Sequence, residues 1–208
     1  MDSLIKDRED LTVFVSYKYS ESKETRDKIL NALGKSGLAY EGWVSESPLD
    51  DTNFYTRTAK DNLALEILEA SDVIVVVISP NITDSNWVRW ETSYALGKIS
   101  HNGHKISKPK TIILVEQFRE EDMDWLELST LDGYKKYMSI LKHLNLLSDD
   151  GRVGMLIKPI YENDFLSNSD KYIKEALRSG VKLITKEELE MYRKFHSKNM
   201  DLVDESIL

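Results

Sequence analysis

The sequence predicts an α/β fold in which a parallel β-sheet lies between layers of helices. Short runs of β-branched residues recur along the chain, and each is followed by a segment whose apolar residues have helical spacing. The run Asp72–Ser79 (DVIVVVIS) is apolar without alternation, as in a strand that is covered on both faces. Strands that alternate with helices indicate parallel pairing, because the connecting helices pack against the sheet.

The first strand is predicted at Leu11–Tyr17 (LTVFVSY), a β-branched and aromatic run. Ser20 or Ser22 can cap the helix that follows. This helix is expected to extend to about Lys35, because Gly37 is typical of the position just past a helix C terminus.

A second strand is predicted at Leu38–Val44, and Ser45–Arg57 (SESPLDDTNFYTR) has the turn-forming residues of a long loop. A helix is predicted between about Thr58 and Ala70. The apolar run Asp72–Ser79 is the next strand.

A further helix begins at about Asp84. Thr111–Val115 is predicted as the next strand, and it is the third strongly aliphatic one. Beyond Glu116 the pattern is weaker. The elements predicted there are a helix at Tyr134–Leu144, a strand at Val153–Ile160, a helix at Ser169–Arg178 and an extended segment at Val181–Ile184 before a final helix. We therefore predict one domain over residues 10–144, with a mainly helical C-terminal extension over residues 145–208 that packs on it.

Composition restricts the classes of partner. The net charge of −8 argues against binding to a nucleic-acid backbone, which depends on clustered Lys and Arg. The chain has no cysteine, so thiolate metal sites and cysteine nucleophiles are excluded. The first residues lack the basic and then apolar pattern of a secretion signal, and the longest aliphatic run, Val73–Ile78, is too short to span a membrane. A cytoplasmic protein without membrane contact is expected.

The helix that begins near Asp84 carries one broad apolar arc, at about 100° per residue. The arc is formed by Trp87, Val88, Trp90, Tyr94 and Ala95. Glu91 falls near the middle of this arc, whereas Arg89, Thr92 and Ser93 are predicted to point to the opposite side.

A carboxylate on an inward-facing arc is costly to bury unless it has a partner, and two explanations for Glu91 remain open. In the first, Glu91 belongs to a buried ion pair or accepts hydrogen bonds from backbone amides of a neighbouring loop. In the second, it lies in a cleft at the carboxyl edge of the sheet, where open α/β folds bind their ligands.

Ser85, Trp87 and Glu91 follow the buried strand with the spacing S-x-W-x-x-x-E. This spacing resembles the S-x-W-C-x-x-E signature of TIR domains, and Val13–Tyr17 is similar to their first strand and the start of the adjoining loop. The segment Trp87–Glu91 (WVRWE) is especially similar to the TIR-like proteins of the bacterial Thoeris anti-phage system.

The resemblance covers about residues 10–116 and implies a flavodoxin-like, TIR-like sheet and an enzyme that consumes NAD as its substrate. It implies that Glu91 is the catalytic residue and engages the hydroxyls of the nicotinamide-bearing ribose. The substrate-binding residues that it implies are Ser16, Tyr17 and Lys18 in the first loop, Trp43 near the second loop, and Trp87. A carboxylate suits this chemistry, because positive charge builds on the ribose as its bond to nicotinamide breaks.

The resemblance also implies the partners. In Thoeris-like systems the product is a cyclic ADP-ribose-type signal that acts on a separate effector in antiviral defence. The chain would then require NAD and no further cofactor, and a homo-oligomer is compatible with the family. The sequence departs from the family pattern in having Val88 in place of the frequent Cys and no glycine landmark in Ser45–Arg57.

Other functions remain as alternatives. A non-catalytic TIR-like module would act by homotypic contacts, and a base-exchange or deoxyribosyl-transfer enzyme would use a nucleoside in place of NAD. No metal site is expected, because His101 and His104 lack an evident third ligand. The acidic cluster that begins at Glu116 is typical of a solvated loop, and its members are Glu116, Glu120, Glu121, Asp122 and Asp124. No glycine-rich phosphate-binding motif is present.

Overall fold

The computed structural model describes residues 11–35, 65, 67–101, 103–118, 125–128, 130–146 and 159–179. In this part of the chain one parallel sheet has the strand order β1-β2-β3-β4. Its strands are β1 at Val13–Ser16, β2 at Val73–Ile78, β3 at Thr111–Glu116 and β4 at Ile160–Tyr161. The described helices are α1 at Tyr19–Lys35, α2 at Asn86–Ala95, α3 at Leu131–His143 and α4 at Glu162–Ser179, with a 3₁₀ turn at Ile82–Asp84. The predicted parallel sheet flanked by helices is confirmed.

The strands separate two apolar layers because successive side chains point to opposite faces of a sheet. Alternate strand residues such as Phe14, Ile74 and Ile112 pack with α2 and α3. The intervening residues, among them Val75, pack with α1 and α4. Every residue of β2 is buried, which explains its apolar sequence without alternation. Residue Val15, next to Phe14 in β1, belongs to the layer of α1 and α4.

Several boundaries differ from the prediction. Helix α3 begins at Leu131, before the predicted Tyr134, because the Thr130 side chain accepts a hydrogen bond from the Gly133 amide at 3.0 Å and caps the helix. Helix α4 begins at Glu162 rather than Ser169. A kink at Asn168 (φ −134°, ψ 26°) divides α4, and the predicted helix corresponds to the part after this kink.

The predicted orientation of Thr92 and Ser93 is wrong. Both residues are buried in α2, with exposed fractions of 0% and 3%. Their hydroxyls donate to backbone carbonyls one turn earlier, Thr92 Oγ1 to Val88 O at 2.8 Å and Ser93 Oγ to Arg89 O at 2.6 Å. Because the helix itself satisfies these hydroxyls, polar character does not predict that they face solvent.

Some predicted elements lie outside the described residues: the strand Leu38–Val44, the loop Ser45–Arg57, most of the helix Thr58–Ala70, and the chain after Ser179. Residues 67–70 of that helix are helical, and residues 160–161 form the described strand at the end of the predicted Val153–Ile160. Residues 160–179 form β4, which pairs with β3, and α4, which packs against the sheet. The division of the chain at residue 144 stays a prediction. None of the described helices is both long and apolar enough to cross a bilayer.

Candidate functional site

Glu91 and Ser16 meet between α2 and the end of β1. The Ser16 hydroxyl donates a hydrogen bond to Glu91 Oε2 at 2.5 Å, and Ser16 and Glu91 are 1% and 3% exposed respectively. Ser16 is the last residue of β1 and pairs in register with Val76 of β2. The contact therefore places a carboxylate next to the carboxyl end of a parallel strand.

The alternation along β1 determines which residue faces Glu91. Phe14 packs in the layer that contains α2 and α3, and Ser16, two residues later, lies on the same face. Val15 and Tyr17 pack in the layer of α1 and α4. A hydroxyl at residue 16 is thus directed towards α2, on which Glu91 lies.

The N terminus of α2 depends on Ser85. Its side chain accepts a hydrogen bond from the Val88 amide at 3.3 Å, and its own amide donates to Ile82 O at the end of the 3₁₀ turn. Capping by serine satisfies an amide that the helix leaves without a partner. The serine in the S-x-W-x-x-x-E spacing therefore fixes where the helix that carries Glu91 begins.

Trp87 belongs to an aromatic stack on α2. Its ring stacks on Trp90 with centroids 5.1 Å apart, and Trp90 stacks on Tyr94 at 5.6 Å. The Tyr94 hydroxyl donates to Glu69, and burial together with this bond raises the pKa of Tyr94 above its ordinary value. Trp90 and Tyr94, both on the predicted apolar arc, pack against each other, and the half-buried Trp87 lies at the end of the stack one turn before Glu91.

Lys18 connects the loop after β1 to the loop after β2. Its Nζ donates to Asn81 O at 2.9 Å and lies 3.3 Å from Glu21 Oε1 and 3.6 Å from Asp84 Oδ2. Burial acts to raise the pKa of Glu21, but the neighbouring Ser79 hydroxyl, the Asn81 amide and the Lys18 charge outweigh it. The pKa of Glu21 is consequently below its ordinary value of 4.5.

Tyr17 lies on the other side of β1 from Ser16. Its hydroxyl accepts a hydrogen bond from Arg26 Nη2 at 3.2 Å, and the Arg26 guanidinium lies 5.2 Å from its ring centroid. The structure therefore brings Ser16 to Glu91 and places Tyr17 against α1. Trp43, the remaining predicted substrate-binding residue, lies outside the described residues.

The sequence matches the family model described as TIR domain over residues 13–139, which is more than half of the chain. The chain belongs to the TIR domain family. It also aligns with the TIR domains of the activated Roq1 resistosome that directly recognises the pathogen effector XopQ. The identity is 16%, the alignment covers 81% of this chain and 98% of that chain, and the TM-score is 0.41. No curated protein matches the sequence.

The residues that were considered as metal ligands in the sequence are His101, His104 and the acidic cluster from Glu116, and the structure describes the contacts of both histidines and of Glu116. His101 and His104 pair through their backbones in a tight turn, and the His101 ring meets the edge of Trp90 at 5.4 Å. Within the described ranges no three His, Cys, Asp or Glu side chains are grouped as metal ligands. Glu116 is buried at the end of β3, unlike the solvated residue that the sequence predicts, because β3 extends through it.

Two polar residues that the sequence did not single out join parts of this TIR domain. Gln117 accepts a hydrogen bond from Ser22 Oγ at 2.9 Å and donates through Nε2 to Glu21 O at 3.0 Å, so it holds the start of α1 at the end of β3. Asn145 donates through Nδ2 to Ser93 Oγ at 2.6 Å. An asparagine shortly after an amphipathic helix is a signal for a left-handed cap, but nothing in the sequence identifies Ser93 as its partner.

Proposed function

We propose that this TIR domain cleaves NAD at the glycosidic bond to nicotinamide, with Glu91 as the catalytic carboxylate. The observation that carries the proposal is the Ser16–Glu91 hydrogen bond of 2.5 Å at the end of β1. Open α/β folds bind ligands beyond the carboxyl ends of their strands, and this carboxylate lies at such an end. Family membership supports the proposal, since the S-x-W-x-x-x-E spacing lies within the matched residues.

The chemistry requires one fixed negative charge. As the bond between the ribose C1′ and the nicotinamide nitrogen breaks, its electron pair goes to nicotinamide, which leaves as a neutral ring, and positive charge develops on the ribose. A carboxylate held in place stabilises that charge without reorganising during the reaction. Ser16 would fix one oxygen of Glu91, and the half-buried ring of Trp87 would offer a planar surface to the leaving group.

We further propose that C1′ of the ribose then bonds to water, which loses a proton and gives free ADP-ribose, or to a nucleophilic atom of the same molecule, which gives a cyclised ADP-ribose. In the second case the product is a diffusible signal for a separate effector, as in Thoeris anti-phage defence, produced in the cytoplasm. The support for this finer assignment is the similarity of the segment Trp87–Glu91 to Thoeris proteins. Mass spectrometry of small molecules from phage-challenged cells that express the chain would identify the product.

The low exposure of Glu91, 3%, favours a second candidate function. If the carboxylate serves only to join α2 to β1, the chain is a non-catalytic TIR module that acts through contacts with other copies. This candidate predicts no nicotinamide release with or without phage challenge, and loss of function from surface substitutions away from Glu91.

The substitution Glu91→Gln tests the proposal, because it keeps the size of the side chain and removes its charge. We expect nicotinamide release to fall by at least about 100-fold, the loss typical of removing an electrostatic stabiliser of a transition state. Chromatography of nicotinamide from NAD measures the rate, and circular dichroism verifies the fold.

Glu162→Gln is the matched control, because Glu162 is another buried carboxylate, 1% exposed, in the opposite layer. We expect this variant to lose stability but to retain nicotinamide release when folded. A Glu91→Gln protein that released nicotinamide at the wild-type rate would overturn the assignment.

A further inference from the structure

The end of α3 has a backbone arrangement that asparagine and glycine adopt readily. Asn145 has a φ of 56°, in the left-handed region. Its amide donates to Lys142 O at 3.1 Å, and the Leu146 amide donates to Leu141 O at 2.9 Å, which is the hydrogen-bond pattern of a Schellman motif. Glycine would serve this cap equally well. The side chain of Asn145 is therefore not required to end the helix.

That side chain instead contacts α2. Asn145 Nδ2 donates to Ser93 Oγ at 2.6 Å, and Ser93 Oγ donates in turn to Arg89 O at 2.6 Å. Ser93 is 3% exposed, so this chain of hydrogen bonds lies in a region from which most water is excluded. Hydrogen bonds in such surroundings are costly to lose, because the group that remains has no water to replace its partner.

A second contact from the same end of α3 reaches the start of α2. His143 Nε2 lies 3.0 Å from Ser85 O, and because a carbonyl only accepts, the imidazole is the donor. Ser85 and Ser93 are eight residues apart, which corresponds to about 12 Å along a helix axis. Glu91 lies between these two attachment points, so the end of α3 fixes α2 on both sides of the carboxylate.

From these contacts we propose that Asn145 is a positioning residue for Glu91. The proposal rests on the proposed function, since it assigns to Asn145 the task of holding α2 so that Glu91 meets Ser16. A carboxylate that must face a developing charge tolerates little displacement, and misplacement by about 1 Å can cost about 100-fold in rate. The apolar contacts of α2 fix its distance from the sheet, and the hydrogen bonds from α3 fix its rotation and its position along its own axis.

Asn145→Gly tests the proposal, because it keeps the left-handed cap and removes only the amide that reaches Ser93. We expect amide hydrogen exchange in residues 86–95 to become faster, while exchange in α1 is unchanged. We expect kcat for nicotinamide release to fall by about 10-fold, with a smaller change in KM, because the substitution displaces Glu91 and removes no substrate contact. Ser93→Ala, which removes the acceptor, should have a similar effect, and the double variant should be no worse than either single one.

Asn168→Gly is the matched control, because the Asn168 amide donates to Asp164, within α4. It should leave exchange in α2 and kcat unchanged. Unchanged exchange in α2 of Asn145→Gly would overturn the proposal, and so would faster exchange with an unchanged kcat. A wild-type protein that releases no nicotinamide would instead refute the proposed function. Exchange in α2 would then show by itself whether Asn145 holds the helix.

Discussion

Glu91 and Glu162 are both buried carboxylates, but their surroundings differ. Glu162 Oε2 accepts hydrogen bonds from Thr25 Oγ1 at 3.0 Å and from the Phe118 amide at 2.8 Å, and Glu162 Oε1 lies 3.4 Å from Lys28 Nζ. These contacts join three segments of the chain, which is a structural role. Glu91 accepts from a neutral hydroxyl at the end of a strand. Burial alone therefore does not distinguish the two acids.

Ser16→Ala removes the hydroxyl donor to Glu91 at a site that is 1% exposed. We expect a loss of about 1–3 kcal/mol in the free energy of unfolding, because a buried acceptor loses a hydrogen bond. Unfolding in urea measures this loss. Nicotinamide release should also fall, since the carboxylate loses the group that orients it.

Ser22→Ala is the control, because Ser22 is also buried but donates to Gln117. It should lower stability and leave nicotinamide release of the folded protein close to that of the wild type. A Ser16→Ala protein as stable as the wild type would show that the Ser16–Glu91 bond contributes nothing to the fold.

The sequence predicted part of this site. Helical spacing places Glu91 among inward-facing apolar residues, and the structure buries it as expected. The contact between Glu91 and Ser16 could not be predicted, because Ser16 lies 75 residues earlier and the contact depends on how β1 and α2 pack. Ser93 was assigned to the wrong side, because its hydroxyl is satisfied within the helix and so tolerates burial.

At the scale of elements, aliphatic strands were the most predictable. The ends of strands β2 and β3 lie within one residue of the predicted ends. Strands that are buried on both faces consist mainly of aliphatic residues, and such runs are easily recognised in a sequence. The start of α4 was missed, because the segment Glu162–Asn168 is rich in polar residues and contains the kink. It is nevertheless helical, with Phe165 fully buried against the sheet.

The loops after β1 and β2 are joined by a contact that depends on pH. Because the pKa of Glu21 is below its ordinary value of 4.5, its contribution to stability is complete above that value and is lost as the pH falls through the lower, folded-state pKa. We expect Glu21→Gln to lose less stability than the wild type on acidification from about pH 6 to about pH 3. Urea midpoints across this range measure the difference, and parallel curves for the two proteins would contradict it.

For the molecule as a whole, the sequence predicted the α/β class and the parallel sheet, because strand and helix patterns alternate clearly before Glu116. The relation of later segments to the sheet was less predictable. Strand β4 has two residues, paired with Val115 and Glu116 of β3, and so short a strand leaves a weak pattern. Its place in the sheet is given by its pairing with β3, which two residues of sequence do not indicate.

Phe165→Ala tests whether α4 and the sheet unfold together. Phe165 is fully buried in the layer that contains α1 and the strands. Removing its ring should cost about 3–5 kcal/mol and shift a single unfolding transition, because the cavity lies in the shared core. Tryptophan fluorescence and circular dichroism should report the same shift, with Leu166→Ala, which removes a partly buried side chain, as a milder control. Two separate transitions would indicate that α4 belongs to an independent unit.

The change of layer between Ser16 and Tyr17 has a consequence for the whole fold. These neighbours point to opposite sides of the sheet, one to the acid on α2 and the other to the guanidinium of Arg26 on α1. One peptide unit thus joins a residue directed to α2 and a residue directed to α1. A backbone shift at Tyr17 therefore also displaces the atoms from which the Ser16 hydroxyl reaches Glu91.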